Sequence, residues 1–293
     1  LSRRQRQMCI RDRTYALSLY YQNGVYQFVA QSGAEFPKAK APEQGVTTLN
    51  IAVPVLAENI TRSLFATAQD ELRPVMNGIY FDLTPDSLAI VASDGHKLVR
   101  NRNFTVKSET PAAFILPSKP AALLKVMMGK ADGEAVVSFD NNSARFVIAD
   151  STLTCRLIEG RYPNYNSVIP TNNTNCLTAD RKTMLGALKR VLPFSSESSR
   201  LVRFHLEKGL LRLQASDIDF ATSAKESIAC EYNGSTMDIG FKGDSVCEIL
   251  NNLNSDEVTV QLADPSRAGV FVPVEQPENQ EILMLMMPML LND

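Results

Sequence analysis

The chain has 293 residues, of which 44% are hydrophobic and 21% charged, so it can bury hydrophobic cores and is not intrinsically disordered. Its 30 Lys and Arg nearly balance 32 Asp and Glu, and the net charge of −2 does not by itself suggest a nucleic-acid-binding protein. The absence of any apolar run of about 18 residues excludes a spanning helix, while five scattered Cys and two His argue against a zinc or His-rich metal site and fit a reduced, intracellular protein.

Residues 1–13 differ in composition from the rest of the chain. They contain five Arg and one Asp, a local charge of +4 that leaves −6 for the remainder. A basic arm for nucleic acid has this composition, and so does a targeting segment, although the apolar core of a secretory signal is missing. The segment begins with Leu rather than Met and resembles translated sequencing-adapter read-through, so we favour a non-native origin.

Residues 14–50 are predicted to be the closing strands of a domain. Apolar and polar residues alternate along 15–37 around a turn at Asn23 and Gly24, which is the pattern of a β-hairpin. We interpret 14–50 as the C-terminal remnant of a repeat unit whose first part, roughly 86 residues, precedes this sequence.

A helix followed by strands is predicted in the next part of the chain. Residues 54–68 place apolar side chains at i, i+4 spacing, as in an amphipathic helix. Strands are predicted at 78–83, 87–93 and 97–103, and a second helix from Pro117. Strands therefore dominate, and each helix has one apolar face.

The same succession is predicted again further along. A helix over 180–193 has Asp180 as its N-cap, and another helix begins near Lys242. Helices packed on one face of largely antiparallel sheets form an α+β fold.

These two parts are copies of one unit at a constant offset of 123 residues. Segments 80–94 and 203–217 are identical at six of fifteen positions, where roughly one match is expected from composition. Two hairpins that share common strand residues are the alternative, but other segments match at the same offset. We therefore predict two similar domains, 51–173 and 174–293. The identical pairs are Phe81/Phe204, Leu83/Leu206, Leu88/Leu211, Ala92/Ala215, Ser93/Ser216 and Asp94/Asp217.

Basic residues recur on the polar faces of the predicted helices, whereas acidic residues lie more often in strands and turns. An ordinary solvated helix face explains any single Lys, but the bias is repeated in both copies. A near-neutral total can therefore conceal a basic helical surface. The helical cations are Arg62, Lys119, Lys125 and Lys130 in the first copy, and Arg181, Lys182, Lys189, Arg190 and Lys242 in the second.

Several segments resemble the bacterial sliding clamps, the β subunits of the replicative DNA polymerase. The resemblance covers 14–293 and rests on SDGHKL at 93–98, EGRYPNY at 159–165 and MMPMLLND at 286–293. It implies a DNA-clamp fold with three domains, two chains joined head to tail around duplex DNA, helices lining the hole, and the second copy's side of the dimer interface near 194–198.

The resemblance also implies the partners of the chain. They are double-stranded DNA, bound without sequence preference, and the replicative polymerase subunit, clamp loader, repair polymerases and mismatch-repair proteins, bound through short peptide motifs. A homodimer is implied for the full-length protein. No catalytic activity, cofactor, metal or membrane contact is implied, and the expected location is the cytoplasm.

A hydrophobic peptide pocket between the two copies is implied by the same motifs, together with a set of DNA contacts. Ser167 and Leu290 stand where many relatives have Arg, so the pocket is expected to be less cationic. The expected pocket residues are Met76, Ser93, Gly95, His96, Leu98, Pro163, Val168, Leu285, Met287, Pro288, Met289 and Leu291. The expected DNA contacts are Arg73 first, then Arg62, Lys119, Lys189, Arg190 and Lys242.

Two other functions remain open from the residues alone. Asp94 and His96 could form an acid–base pair in an enzyme, but an Asp-Gly hairpin turn has the same sequence and no nucleophile motif accompanies it. A repeat scaffold that binds peptides without DNA is the other alternative.

Overall fold

The computed structural model describes residues 7–9, 15–37, 40–43, 45–129 and 131–291. The chain divides into two compact units, residues 1–40 and 41–293. Of the predicted non-native segment, only 7–9 fall within the described residues, and the rest of it lies outside them. None of the helices in the described ranges combines the length and apolar character needed to cross a membrane.

The first unit is a small antiparallel sheet of strands β1 (Gln7–Cys9), β2 (Ala16–Tyr21) and β3 (Gly24–Val29), in that order. The predicted hairpin is confirmed, with Tyr21 paired to Gly24. The turn lies one residue earlier than expected, at Gln22 and Asn23, because Gly24 already belongs to β3.

The second unit begins with a strand, a helix, four strands, a second helix and three strands. Helix α1 starts at Val53 with Pro54 in its first turn, where the missing N–H of proline costs nothing. It ends at Leu64 and not at 68, because the Thr67 hydroxyl bonds the Leu64 carbonyl and Ala68 N–H donates to Met76 O. The elements are β4 (Thr47–Ala52), α1 (Val53–Leu64), β5 (Gly78–Leu83), β6 (Leu88–Ser93), β7 (Lys97–Asn103), β8 (Ala112–Pro117), α2 (Ser118–Met128), β9 (Glu134–Phe139), β10 (Ser143–Ile148) and β11 (Ser151–Arg156).

The rest of the second unit repeats this order, with one short extra strand. The predicted N-cap is confirmed, since the Asp180 side chain accepts a hydrogen bond from Thr183 N–H. The elements are β12 (Asn175–Asp180), α3 (Arg181–Val191), β13 (Leu201–Glu207), β14 (Leu210–Asp217), β15 (Thr222–Ala229), β16 (Glu231–Tyr232), β17 (Met237–Lys242), α4 (Gly243–Asn252), β18 (Glu257–Leu262), β19 (Gly269–Pro273) and β20 (Gln280–Met286).

A single nine-stranded sheet joins the two copies. Its order is β16-β12-β18-β19-β20-β7-β6-β5-β8, and four-stranded sheets β11-β10-β9-β4 and β15-β14-β13-β17 complete the unit. The copies meet where β20 pairs antiparallel with β7, with Leu98 opposite Leu285. We call this pairing the junction.

Among the described residues, one apolar core lies in the first copy, a second lies mainly in the second copy and includes Ala92 and Val99 of the first, and a third covers the junction. The first is centred on residues such as Ile60, Phe81 and Phe146, and the second contains Phe204 and Phe241. The junction core contains Leu98, Tyr162, Tyr165, Leu283 and Leu285. The elements around the junction are thus held by burial as well as by strand pairing.

Candidate functional site

The turn between β6 and β7 is built by two polar side chains. Asp94 Oδ1 accepts hydrogen bonds from the backbone N–H groups of His96, at 2.8 Å, and Lys97, at 2.9 Å. Ser93 Oγ accepts from Gly95 N–H and donates to Lys97 O. Gly95 has φ +91°, which glycine adopts without strain. The turn therefore presents Gly95 and His96 to solvent in a fixed conformation.

The carboxylate of Asp94 is engaged by the turn and by Lys97, at 3.2 Å from Nζ. Burial raises the pKa of Asp94, but hydrogen bonds from Lys97 and His96 N–H and the charge of Lys97 outweigh it, so the pKa is lowered overall. Asp94 thus organises the backbone of the turn and not the imidazole of His96, which argues against an acid–base pair of Asp94 and His96.

Arg73 lies against this turn. Its Nη1 atom is 2.5 Å from the position that a Cβ on Gly95 would occupy. Arg73 Nε also binds Asp70 Oδ2 at 3.0 Å. The short 3-10 turn Pro74–Met76 follows and buries Met76. The first expected DNA contact thus borders the expected peptide pocket.

Residues 157–174 connect the two copies, and two tyrosines of this segment pack in the junction core. Tyr162 stacks on Tyr80, with ring centroids 4.6 Å apart, and the Tyr165 hydroxyl donates to Asp82 Oδ2 at 2.8 Å. Burial raises the pKa of both Tyr162 and Tyr165. Pro163 lies between these buried rings and is exposed, so the segment presents an apolar side chain on a rigid base.

The C-terminal segment reaches the turn from the other side. After β20, Met287 N–H donates to His96 O at 2.8 Å, and Met289 N–H donates to Gly240 O at 2.8 Å. Met289 and Leu291 line a cavity of about 650 Å³ with Asp238 of the edge strand β17. The segment therefore touches the first copy at Met287 and the second copy at Met289.

The expected pocket residues separate into three groups by exposure. Met76, Ser93, Leu98 and Leu285 are buried and support the site from beneath. Pro288, Met289 and Leu291 are half-buried, and the last two belong to the cavity on the side of Gly240. The exposed group, which we call the junction surface, consists of Gly95, His96, Pro163, Val168 and Met287.

The expected DNA contacts divide in the same way. Arg62 is a correction: its side chain is only 5% exposed, and its guanidinium donates to Asn59 and Asn101 and pairs with Glu58. Burial lowers the pKa of the Arg62 guanidinium, and the nearby Glu58 only partly opposes this shift. A buried cation held by protein groups is not available to a phosphate. Those that are exposed are Arg73, Lys119, Lys189, Arg190 and Lys242.

Residues not anticipated from the sequence reinforce the junction with ion pairs. Lys97 Nζ lies 2.9 Å from Glu248 Oε2 of α4. Arg100 and Arg102 of β7 both pair with Glu281 of β20. Each pair joins residues far apart in the chain, so no local pattern signals them.

In the ranges that the structure describes, no three His, Cys, Asp or Glu residues are grouped as metal ligands would be.

Comparison with known proteins gives a consistent picture. A family model described as the DNA polymerase III beta subunit, central domain, matches residues 50–164, and one for the C-terminal domain of that subunit matches 166–290. The chain is 29% identical over 270 residues to the beta sliding clamp of Synechococcus elongatus, covering 90% of this chain and 72% of that protein. It is 29% identical over 250 residues to the Pseudomonas aeruginosa clamp, covering 84% and 67%.

Solved structures are similar over almost the whole chain. A DNA polymerase sliding clamp from P. aeruginosa, crystallised with a ligand, superposes with a TM-score of 0.90 at 25% identity, covering 97% of this chain and 76% of that one. The Bartonella birtlesii clamp bound to griselimycin gives a TM-score of 0.86 at 26% identity, covering 94% and 74%.

Proposed function

The chain belongs to the family of bacterial DNA polymerase III beta subunits, and we propose that the full-length protein encircles duplex DNA as a homodimer, to which this chain contributes the remnant 14–50 and the domains 51–173 and 174–293. It is a sliding clamp, an accessory processivity factor that binds DNA and polymerase partners and has no catalytic role of its own. We place it with the DNA in the cytoplasm.

The junction is the observation that supports the ring. Two copies of one unit are joined edge to edge, because β20 of the second copy extends the sheet of β7 in the first. Edge-to-edge addition of similar units can be repeated, and a rotation at each addition closes a ring. We propose that each domain boundary in the complete assembly uses this pairing.

The edge strand β15 is the proposed homodimer contact. By the repeat, β15 corresponds to β7, and in the described part of the chain its outer edge pairs with no strand. Phe194, Ile218 and Phe220 are exposed beside it, an unusual cluster of apolar side chains. We propose that a second copy covers them, with β3, which corresponds to β11 in the repeat, supplying the added strand.

The helix-borne cations are the proposed DNA contacts. Lys119, Lys189 and Lys242 are exposed on or beside α2, α3 and α4. Ammonium groups on helices attract phosphates without reading bases, so the ring slides along the duplex. Because closure retains the DNA, the chain does not need a high net positive charge.

Retention on closed DNA tests encirclement. A clamp loader places the full-length protein on nicked circular DNA, which is then separated by gel filtration before and after linearisation. We expect the protein to elute with circular DNA and to be lost from linear DNA, because a ring slides off a free end. Equal retention on both forms would contradict encirclement and would indicate ordinary surface binding.

The junction surface is the proposed docking site for partner peptides. Its exposed Met287, Pro163 and Val168 are apolar and surround the polar turn at His96. An adaptable Met side chain suits a site that accepts several related peptides. We propose that polymerase, clamp loader and repair proteins insert short apolar motifs here, and that griselimycin binds the same surface.

Griselimycin binding tests this site directly. We expect Met287→Asp to raise the Kd for griselimycin at least about tenfold, because a carboxylate would be desolvated in the contact. Leu123→Asp on α2 is the matched control, since it adds the same charge to an exposed apolar position outside the junction surface. Equal affinities of the two variants would contradict the assignment.

A further inference from the structure

Lys97 belongs to the first copy, but its ammonium group lies against the second. The Nζ atom is 2.9 Å from Glu248 Oε2 on α4 and 3.2 Å from Asp94 Oδ2, and it stands 5.8 Å from the centre of the Phe65 ring. The side chain is only 12% exposed. Such a location restricts water and strengthens both ion pairs relative to fully exposed ones.

The two oxygens of Asp94 connect this ion pair to the turn. Oδ1 holds the N–H groups of His96 and Lys97, while Oδ2 binds the ammonium that reaches Glu248. Burial lowers the pKa of Lys97, but bonds to Glu248 and Asp94 outweigh it, and the pKa is raised overall. Lys97 therefore stays charged, and a continuous series of hydrogen bonds and ion pairs joins the turn to α4 through Asp94, Lys97 and Glu248.

The repeat shows that the turn does not need a lysine. In the second copy, Asp217 Oδ1 accepts from the N–H groups of Asp219 and Phe220, the same two bonds at the offset of 123 residues. Phe220 occupies the place of Lys97 and is 77% exposed. The cation is thus dispensable for the local turn, and its specific contact is the one across the junction.

We propose that Lys97, with Glu248, is a positioning residue for the junction surface. The pair fixes the turn relative to α4, and so sets where His96 meets the C-terminal segment at Met287. This inference rests on the proposed peptide-docking function. It adds that docking affinity depends on an ion pair outside the junction surface, on a helix that begins immediately after a proposed DNA contact.

A double-mutant cycle in the full chain tests the proposal. Griselimycin Kd is measured for wild type, Lys97→Met, Glu248→Gln and the double variant, and backbone amide exchange is followed at positions 96 and 97 without ligand. We expect each single change to raise Kd about three- to tenfold. The Kd of the double variant should not exceed that of the weaker-binding single variant. Exchange at the turn should become faster in all three.

Two controls separate positioning from general destabilisation. Lys97→Arg keeps the cation and should bind within about twofold of wild type. Arg212→Met removes an ion pair that lies inside one copy, with Glu207, and is more exposed, and it should change neither Kd nor exchange at the turn.

If Lys97→Met bound griselimycin as wild type does and its turn exchanged at the wild-type rate, that result by itself would overturn the positioning role of Lys97. Strictly additive effects of the two single changes would overturn it as well. Failure of the wild-type chain to bind griselimycin would count instead against the proposed docking site, and the exchange measurement would still decide whether the ion pair positions the turn.

Discussion

Gly95 shows how one residue determines the shape of the junction surface. Its φ of +91° lies in the region that side chains with a Cβ rarely adopt, and Arg73 occupies the space where a Cβ would project. The motif at 93–98 predicts a glycine turn from the sequence, but the packing of Arg73 on that glycine is not visible in any local pattern.

Gly95→Ala is therefore expected to strain the turn and displace Arg73. We expect a loss of about 1–3 kcal/mol in the free energy of unfolding and weaker griselimycin binding. Gly133→Ala is the control, since Gly133 has the same φ but open space around it. Urea denaturation measures the stability of the two variants, and a griselimycin titration measures their binding. A similar loss of stability in both variants would show that backbone strain, and not the Arg73 contact, is responsible.

Arg62 shows the limit of reading a helix face from sequence. Its position in α1 is compatible with a polar face, yet the guanidinium reaches across to Asn101 on β7 and is buried. Only the tertiary packing of α1 on the sheet reveals this, because residues 62 and 101 belong to different elements.

Arg62→Met is expected to destabilise the chain without affecting DNA binding. The side-chain oxygens of Asn59 and Asn101 would lose their buried donor, which costs about 1–3 kcal/mol in the free energy of unfolding. Lys119→Met should have the opposite profile, with stability within about 0.5 kcal/mol of wild type but weaker DNA binding. Denaturation and DNA-binding titrations on both variants check this, and a loss of DNA affinity in a folded Arg62→Met chain would contradict it.

At the scale of elements, local patterns predicted most strands and helices, whereas the junction was not predictable. The sequence pattern predicts strands at 78–83 and 97–103, which match β5 and β7. The capping preference of Asp180 predicts where α3 starts. The pairing of β7 with β20 joins distant parts of the chain, and the residues of each strand are compatible with several partners. Its register, with Leu98 opposite Leu285, comes from tertiary packing.

Leu285→Ala is expected to weaken the junction specifically. The side chain is 2% exposed in the junction core, so its truncation leaves a cavity and costs about 2–5 kcal/mol. Leu290→Ala is the matched control in the following segment, because Leu290 is 88% exposed and its loss should cost no more than about 0.5 kcal/mol. Thermal denaturation compares them, and equal stability would contradict the buried junction.

At the scale of the whole molecule, the position of the charges matters more than their sum. The net charge of −2 gave no indication of DNA binding, but exposed cations recur at equivalent helices in both copies. The repeat and the family motifs identified the function, because both survive in the sequence without any knowledge of the fold. The exposure of each cation, by contrast, required the structure.

Charge reversal on the helices is expected to reduce the salt dependence of DNA binding. In Lys119→Glu/Lys189→Glu/Lys242→Glu, the slope of log K against log[salt] should fall by about 2 to 3, since each lost phosphate contact removes about 0.9. The control Lys107→Glu/Arg145→Glu/Lys208→Glu makes the same charge change at exposed positions in strands and turns. Equal slopes for the two variants would indicate that net charge alone governs binding.

A processivity role is tested by the length of the DNA that the replicative polymerase makes in one binding event. The complete chain is loaded on primed single-stranded template by the clamp loader, and excess competitor DNA is added when synthesis starts. A processivity factor should extend products far beyond those made without it, and Met287→Asp should reduce them towards that baseline. Products of the same length with and without the loaded chain would show that it is not a processivity factor.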